Sequence, residues 1–319
     1  MTELDLNTVI EKNIPDDLDQ KWEQWLKELR AIKNKIEIIE EKKTDFGKIV
    51  DFYYDSINNT KIHTRLFLSN ENLINKKPLV AIFHGAGNKL EDCWNVEHCL
   101  KFVNEGHSSI MFSARNQGGK SIDLTDLEFK EHHYLNHGIR NLETNYCKFL
   151  YLDAVKLLDI CKDSSLELFK DLSKHDIIVT GASQGGELSL AVAALTDYPI
   201  LCLPDVPSGC AIKERIIYKF GKYNAYNDLK EVFPELDLEP IYKDSGYFDL
   251  INLVHNIKCP VYSSVGGKDN ICPASYYYEA YKKITTEKYI FIYPDHGHGG
   301  FDEIHSPKKL QFIKDFLNR

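Results

Sequence analysis

The sequence predicts an α/β protein, with a mostly parallel central sheet and helices on both faces, and three observations carry that reading. Short apolar runs such as Leu79-Val80-Ala81-Ile82-Phe83 and Ile177-Ile178-Val179 have the composition of strands buried on both sides. Between them lie segments such as Asn145 to Cys161, whose apolar residues recur about one helical turn apart. The βαβα rhythm that results is that of parallel strands joined by helical crossovers. A chain of 319 residues has room for two domains, yet no repeat, low-complexity tract or linker divides it. One domain over 1–319 is therefore expected.

The elements follow in order. The first 45 or so residues read as a helical arm, in which Asp17 or Asp19 caps a helix bearing Trp22, Trp25, Leu26, Leu29 and Ile32 at helical spacing. From Lys48 the pattern turns to β, with Ile49, Phe52 and Tyr53, and Thr60 to Leu68 alternates with Ile62, Thr64, Leu66 and Leu68 on one side. Buried strands are expected at 79–83, 110–112 and 177–179, then at 199–206. Helices are expected at 145–161 and 187–195. A stretch rich in Tyr, Lys and Glu near 211–246 reads as a helical insertion. Strands at 261–265 and 289–293 complete the sheet, and Ser306-Pro307 carries the residue types that open a terminal helix.

Composition removes several function classes. Lys and Arg number 39 against 48 Asp and Glu, a net charge of −9, without the basic face a nucleic-acid or anionic-membrane binder needs. No apolar run approaches the ~18 residues of a membrane span, and Met1-Thr2-Glu3-Leu4-Asp5 lacks the basic and apolar parts of a signal peptide. A cytoplasmic protein is the expectation. The 8 cysteines include no Cys-x-x-Cys pair, so they read as small buried thiols rather than disulfide partners or zinc ligands.

The sharpest local signal is Gly181-Ala182-Ser183-Gln184-Gly185-Gly186, placed between a strand and a helix. A tight strand-to-helix turn lifts the serine oxygen out at the sheet edge, and Gly181 and Gly185 fit where backbones crowd. Ser183 is the candidate nucleophile, and the amide of Gln184 would face a developing oxyanion. A chance match to G-x-S-x-G is the bland alternative, and the strand–turn–helix context argues against it.

A serine needs a base, and the base needs an orienting acid. In α/β-hydrolases both follow the serine, each after a late strand. Strand 261–265 runs into Gly266-Gly267-Lys268-Asp269-Asn270, which makes Asp269 the candidate acid, although Asp-Asn is also ordinary turn chemistry. Strand 289–293 runs into Pro294-Asp295-His296-Gly297-His298-Gly299-Gly300, and spacing does not separate His296 from His298 as the base. No carboxylate–histidine set has firm metal-ligand spacing, so neither metal nor organic cofactor is expected. After the strand ending at Phe83, His84-Gly85-Ala86-Gly87 is similar to the H-G-containing loop that completes an oxyanion hole, with the Ala86 amide as donor.

These motifs together resemble carbohydrate esterase family 7, the acetyl xylan esterase and cephalosporin C deacetylase group of the α/β-hydrolases, over nearly the whole chain. Pro15-Asp16-Asp17-Leu18-Asp19 with Trp22 is similar to the family's opening helix. Arg115-Asn116-Gln117-Gly118 stands where the family has R-G-Q, and Gly181 to Gly186 matches its G-x-S-Q-G-G. His137-Gly138-Ile139, Tyr146 and Tyr151 to Val155 resemble the segment before the nucleophile, and Asp205-Val206-Pro207 and Tyr247-Phe248-Asp249 fit as well. Ser264 to Pro273 matches the acid loop, including Cys272, and Tyr293-Pro294 followed by His298 matches the histidine loop. The resemblance selects His298 over His296 as the base. It implies removal of acetyl or other short acyl groups from sugars, and a homo-oligomer.

Three departures stand out. The glycine of R-G-Q is Asn116, the acid after the catalytic histidine is Gly299, and the aromatic residue after H-G is Ala86. The last change should widen the pocket. The segment Ser121 to Tyr134, with Glu128, Glu131, His132 and His133, is unlike the family's loop and is either a remodelled entrance or a solvated surface. The expected activity is a two-step acyl transfer through an acyl-Ser183 intermediate on a small-molecule ester, with no nucleic-acid or membrane partner. The alternatives are a thioesterase, peptidase or acyltransferase with a larger substrate, separable by an acyl-chain series, and a non-catalytic binding subunit, separable by burst kinetics.

Overall fold

The computed structural model describes residues 6, 8–90 and 92–319. The five residues on which the leader reading rests, Met1 to Asp5, lie outside them. Among the described residues nine strands form one sheet: β1 (Ile36–Thr44), β2 (Gly47–Asp55), β3 (Lys61–Ser69), β4 (Leu79–Phe83), β5 (Ser108–Phe112), β6 (Ile177–Ala182), β7 (Pro199–Asp205), β8 (Val261–Gly266) and β9 (Lys288–Tyr293). Their order is β1-β2-β3-β5-β4-β6-β7-β8-β9. The pairs from β5 and β4 through β9 are parallel, and β1, β2 and β3 add an antiparallel edge that joins at β5. The mostly parallel sheet with helices on both faces is as the sequence predicts.

The central parallel strands are mostly apolar because both faces are covered; β4 and β8 are buried along their whole length, whereas β9 at the sheet edge is only partly buried. On one face α1 (Leu18–Ala31) turns Trp22, Trp25 and Leu29 into the core. The Trp22 indole N–H donates to the carbonyl of Tyr247 at 2.9 Å, and that of Trp25 to the Glu143 carboxylate at 2.8 Å. After α2 (Asn70–Asn75) and α3 (Cys93–Val103), α4 (Tyr146–Cys161) is buried over all its residues. The Asn145 side chain caps it by accepting the Cys147 amide at 2.9 Å. The crossover α5 (Gln184–Leu195) carries the candidate nucleophile at its start. Residues 211–246 hold α6 (Ile212–Ile217), α7 (Ala225–Val232) and α8 (Glu239–Ser245), and α9 (Ala274–Lys283) and α10 (Asp302–Leu317) complete the chain.

Two expectations about elements are corrected. The helical arm ends at Ala31, and Ile36–Thr44 is strand β1 rather than helix. Its sequence, IEIIEEKKT, buries no residue fully, so there is no apolar face to read; its β-branched residues and pairing with β2 decide the outcome. The terminal helix starts at Asp302, so Pro307 lies inside it. Acidic Asp302 and Glu303 suit a helix N-terminus, and the amides of Ile304 and His305 bond back to the Phe301 carbonyl. All seven described cysteine side chains are buried and free of disulfides; that of Cys93 lies outside the described residues. Among the described residues no helix is long and apolar enough to cross a membrane.

Candidate active site

Ser183 stands between β6 and α5 with φ 59° and ψ −117°, a conformation that few side-chain-bearing residues adopt. Three backbone bonds hold it there. Its amide donates to the carbonyl of Asp205 at 2.9 Å, and its own carbonyl accepts the amides of Ser208 and Glu187, each at 3.0 Å. The turn is tight enough that a Cβ on Gly185 would overlap the carbonyl oxygen of Phe83, and one on Gly181 would meet the same oxygen. Gly181 and Gly185 are therefore fixed by the approach of strand β4, and Gly186 by that of Asp205 and Pro207.

Asp269 lies in the loop after β8. Its Oδ1 accepts the amides of Ile271 and Cys272, both at 2.8 Å, which aims Oδ2 at His298 Nδ1, also 2.8 Å away. The contest between the two histidines is decided by position. His296 packs edge-on against Tyr293 and Phe301, while its carbonyl accepts the Lys268 amide at 2.8 Å. His298 alone faces the carboxylate, and Asp269 takes its Nδ1, which leaves Nε2 for the cavity. Burial pushes the His298 imidazole down, but Asp269 and Cys272 outweigh it and hold it above its ordinary value.

Ser183, Cys272 and His298 line a cavity of about 400 Å³. Ser183 Oγ lies 4.0 Å from Cys272 Sγ, and Arg215 Nη2 lies 3.4 Å from the same sulfur. Burial pushes the Cys272 thiol up, yet the Arg215 guanidinium and His298 bring it below its ordinary value.

Gly85, Ala86 and Asn88 form the facing rim. His84 fixes this loop in the neutral form: its Nε2 accepts the Ala114 amide at 2.9 Å, so Nδ1 carries the proton it shares with the Gly85 carbonyl at 2.7 Å. Burial, which lowers the His84 pKa, agrees. The Gln184 amide belongs to the first turn of α5, where amides have no partner within the helix. Gln117 ties the two sides together. Its Oε1 accepts the Gly87 amide at 2.9 Å, its Nε2 donates to Tyr146 Oη at 2.8 Å, and its amide group pairs reciprocally with that of Gln184 at 2.9 and 3.1 Å.

Arg115 is wholly buried and binds Asp153 through Nε at 2.7 Å and Nη2 at 2.6 Å, with Asp123 on Nη1 at 2.7 Å. The departure at Asn116 now has a reason. Its φ is 57°, the left-handed region that asparagine tolerates better than most residues, and its Oδ1 accepts the Asp123 amide at 2.9 Å. Gly299 has φ 118° and nothing within 4 Å of an added Cβ, so the space beside the base is open. The segment 121–134 does not contribute to the cavity lining. It is held instead by Arg115–Asp123 and by Phe129 against Phe233, which favours the plainer of its two readings.

The sequence reading did not single out several groups around the site. Arg215 and Lys222 line the cavity, with Lys222 Nζ 2.8 Å from the buried Glu187 carboxylate. Lys309, from α10, reaches the carboxylate of Asp205. A glutamate within the apolar run of α5 and a lysine in the last helix are the faint signals that sequence offered.

Comparison with known proteins places the chain beside acetyl xylan esterases. The acetyl xylan esterase family model (AXE1) matches residues 3–316. Acetyl esterase Axe7A of Xylanibacter ruminicola is 26% identical over 311 residues, which cover 94% of this chain and 67% of that protein. Acetyl xylan esterase 1 from Thermoanaerobacterium sp. superposes with a TM-score of 0.86 at 26% identity, covering 98% of both chains. The acetyl xylan esterase from Paenibacillus sp. R4 gives 0.83 at 26% identity, covering 96% of both.

Proposed function

The chain belongs to the acetyl xylan esterase family and is a carboxylic ester hydrolase, and from that premise we propose that it removes acetyl and other short acyl groups from carbohydrates through an acyl-Ser183 intermediate. The observation that carries the assignment of roles is the alignment of Asp269 on His298 beside the strained Ser183.

In the first step His298 Nε2 takes the Ser183 proton as Oγ attacks the ester carbonyl. The amides of Gln184 and Ala86 receive the charge that gathers on the carbonyl oxygen, and loss of one such donor typically costs ~10²–10³ in rate. Asp269 holds the imidazole in its working tautomer and stabilises the imidazolium. That imidazolium returns the proton to the departing sugar hydroxyl. Water, deprotonated by His298, then cleaves the acyl–serine bond and releases the acid. The cavity of about 400 Å³, with Ala86 and Gly299 on its wall, suits short acyl groups with some room beyond acetyl. In this proposal the enzyme is a cytoplasmic homo-oligomer, open to analytical ultracentrifugation and to localisation of the tagged protein.

A screen of acetylated sugars beside acetyl, butyryl and octanoyl esters, with Ser183→Ala as control, tests the reading. Acetyl esters should be cleaved well, octanoyl esters poorly, and Ser183→Ala should abolish both. Full activity in Ser183→Ala, or no ester hydrolysis by the wild type, would overturn it.

A further inference from the structure

The carboxylates buried around the cavity each have a cation of their own. Asp205 is held by Lys309 and His305, Asp269 by His298, and Glu187 by Lys222. Arg215 breaks this pattern. It is 1% exposed, it lines the cavity with Ser183 and Cys272, and it pairs with no carboxylate among the described residues. Its Nη2 donates to the Ile271 carbonyl at 2.8 Å and approaches Cys272 Sγ at 3.4 Å, its guanidinium lies 5.0 Å from the Tyr223 ring centroid, and its Nε meets no acceptor. A single sulfur atom separates this guanidinium from the Ser183 hydroxyl.

Burying a guanidinium with no carboxylate beside it is unfavourable, and the charge that Arg215 draws onto the Cys272 thiol is shared with His298. The cavity wall also carries Lys222, Asp205 and the exposed Asp302, but Lys222 is paired with Glu187 and Asp205 with Lys309, so the buried Arg215, whose Nε meets no acceptor, is the group that a ligand of negative charge would complement. We propose that Arg215 is the anion anchor of this site, selecting esters that carry a carboxylate on the acyl or the alcohol part, close to the reacting carbonyl. The inference rests on the esterase reading above and narrows its substrate class to half esters of dicarboxylic acids or acylated acids of the sugar type. Arg215 binds substrate in this scheme and takes no part in proton transfer.

Two matched pairs of esters test it and separate the two sources of charge. Ethyl hydrogen succinate against ethyl butyrate places the carboxylate on the acyl side, and 3-acetoxybenzoate against phenyl acetate places it on the alcohol side. In the wild type the charged member of at least one pair should have the higher kcat/KM, and the pair that shows it identifies the side. In Arg215→Gln that charged-to-neutral ratio should fall about 10- to 100-fold, the range of a lost charge-assisted bond, with partial recovery in Arg215→Lys. Should Arg215→Gln not fold, Arg215→Lys and competitive inhibition of the wild type by succinate against butyrate give the same readout. Neutral esters preferred in both pairs, or a loss in Arg215→Gln that is equal for both members, overturns the anchor. Failure of the esterase reading looks different, because all four esters would then remain uncleaved.

Discussion

His298 Nδ1 meets Asp269 Oδ2 at 2.8 Å, and the imidazole also lies beside the Cys272 thiol. Both neighbours favour the protonated ring against the opposing effect of burial, so the base is held above the ordinary imidazole value of ~6.5. As the proposed base, His298 acts only when neutral, so kcat/KM should rise with pH through that raised value. The midpoint of the acid limb is expected above that of a free imidazole, and Cys272→Ala should move it to lower pH. A pH–rate profile of both proteins checks this; an unmoved or upward-shifted midpoint in Cys272→Ala would count against the sulfur's part.

Asp269→Asn should lower kcat by about 10³–10⁴ with little change in circular dichroism. The amide presents N–H to a ring nitrogen that must itself donate, so the wrong tautomer of His298 is favoured. A loss under tenfold would remove Asp269 from the proposed triad.

Gly185→Ala should be poorly tolerated. The added carbon overlaps the Phe83 carbonyl oxygen, an atom of the backbone of β4 that cannot swing aside. A cost at the upper end of ~1–3 kcal/mol is expected, with lost activity as the turn opens. Urea unfolding together with an esterase assay would measure both.

Lys309→Met probes the ion pair behind the Ser183 turn. Burial pushes the Asp205 carboxyl up, but Lys309 and His305 hold it well below the usual carboxylate range. A depressed carboxyl stabilises the fold above its unfolded pKa of ~3.9, and that contribution is lost as pH falls through the folded value. Without Lys309 the carboxylate stays buried with only His305 and the Ser264 hydroxyl as partners, at a cost approaching the ~3–5 kcal/mol of a broken buried pair. Acid unfolding followed by tryptophan fluorescence should begin at higher pH in the variant.

Much of this was legible in the chain. Strands β4 to β8 announced themselves because a strand buried on both faces is dominated by apolar residues, and β9, though only partly buried, because its run YIFIY is apolar and β-favouring; Ser183, Asp269 and His298 each follow one of these strands. Strand β1 was not legible, since an exposed edge strand of Glu, Lys and Ile carries no periodic face. The choice of His298 over His296 needed the resemblance or the structure, because two histidines two residues apart differ only in which way the loop turns them. Arg215 and Lys222 were hidden for a related reason: a charge on a short helix reads as solvated until the fold encloses it.

Asp205 offers its carbonyl to the Ser183 amide and its side chain to Lys309 of α10. The posture of the candidate nucleophile thus depends in part on α10, whose Lys309 lies 104 residues along the chain from Asp205. A disturbance that lifts α10 from the sheet takes away the cation of Asp205, so catalysis is coupled to the docking of that helix as well as to the loops that carry the reacting groups.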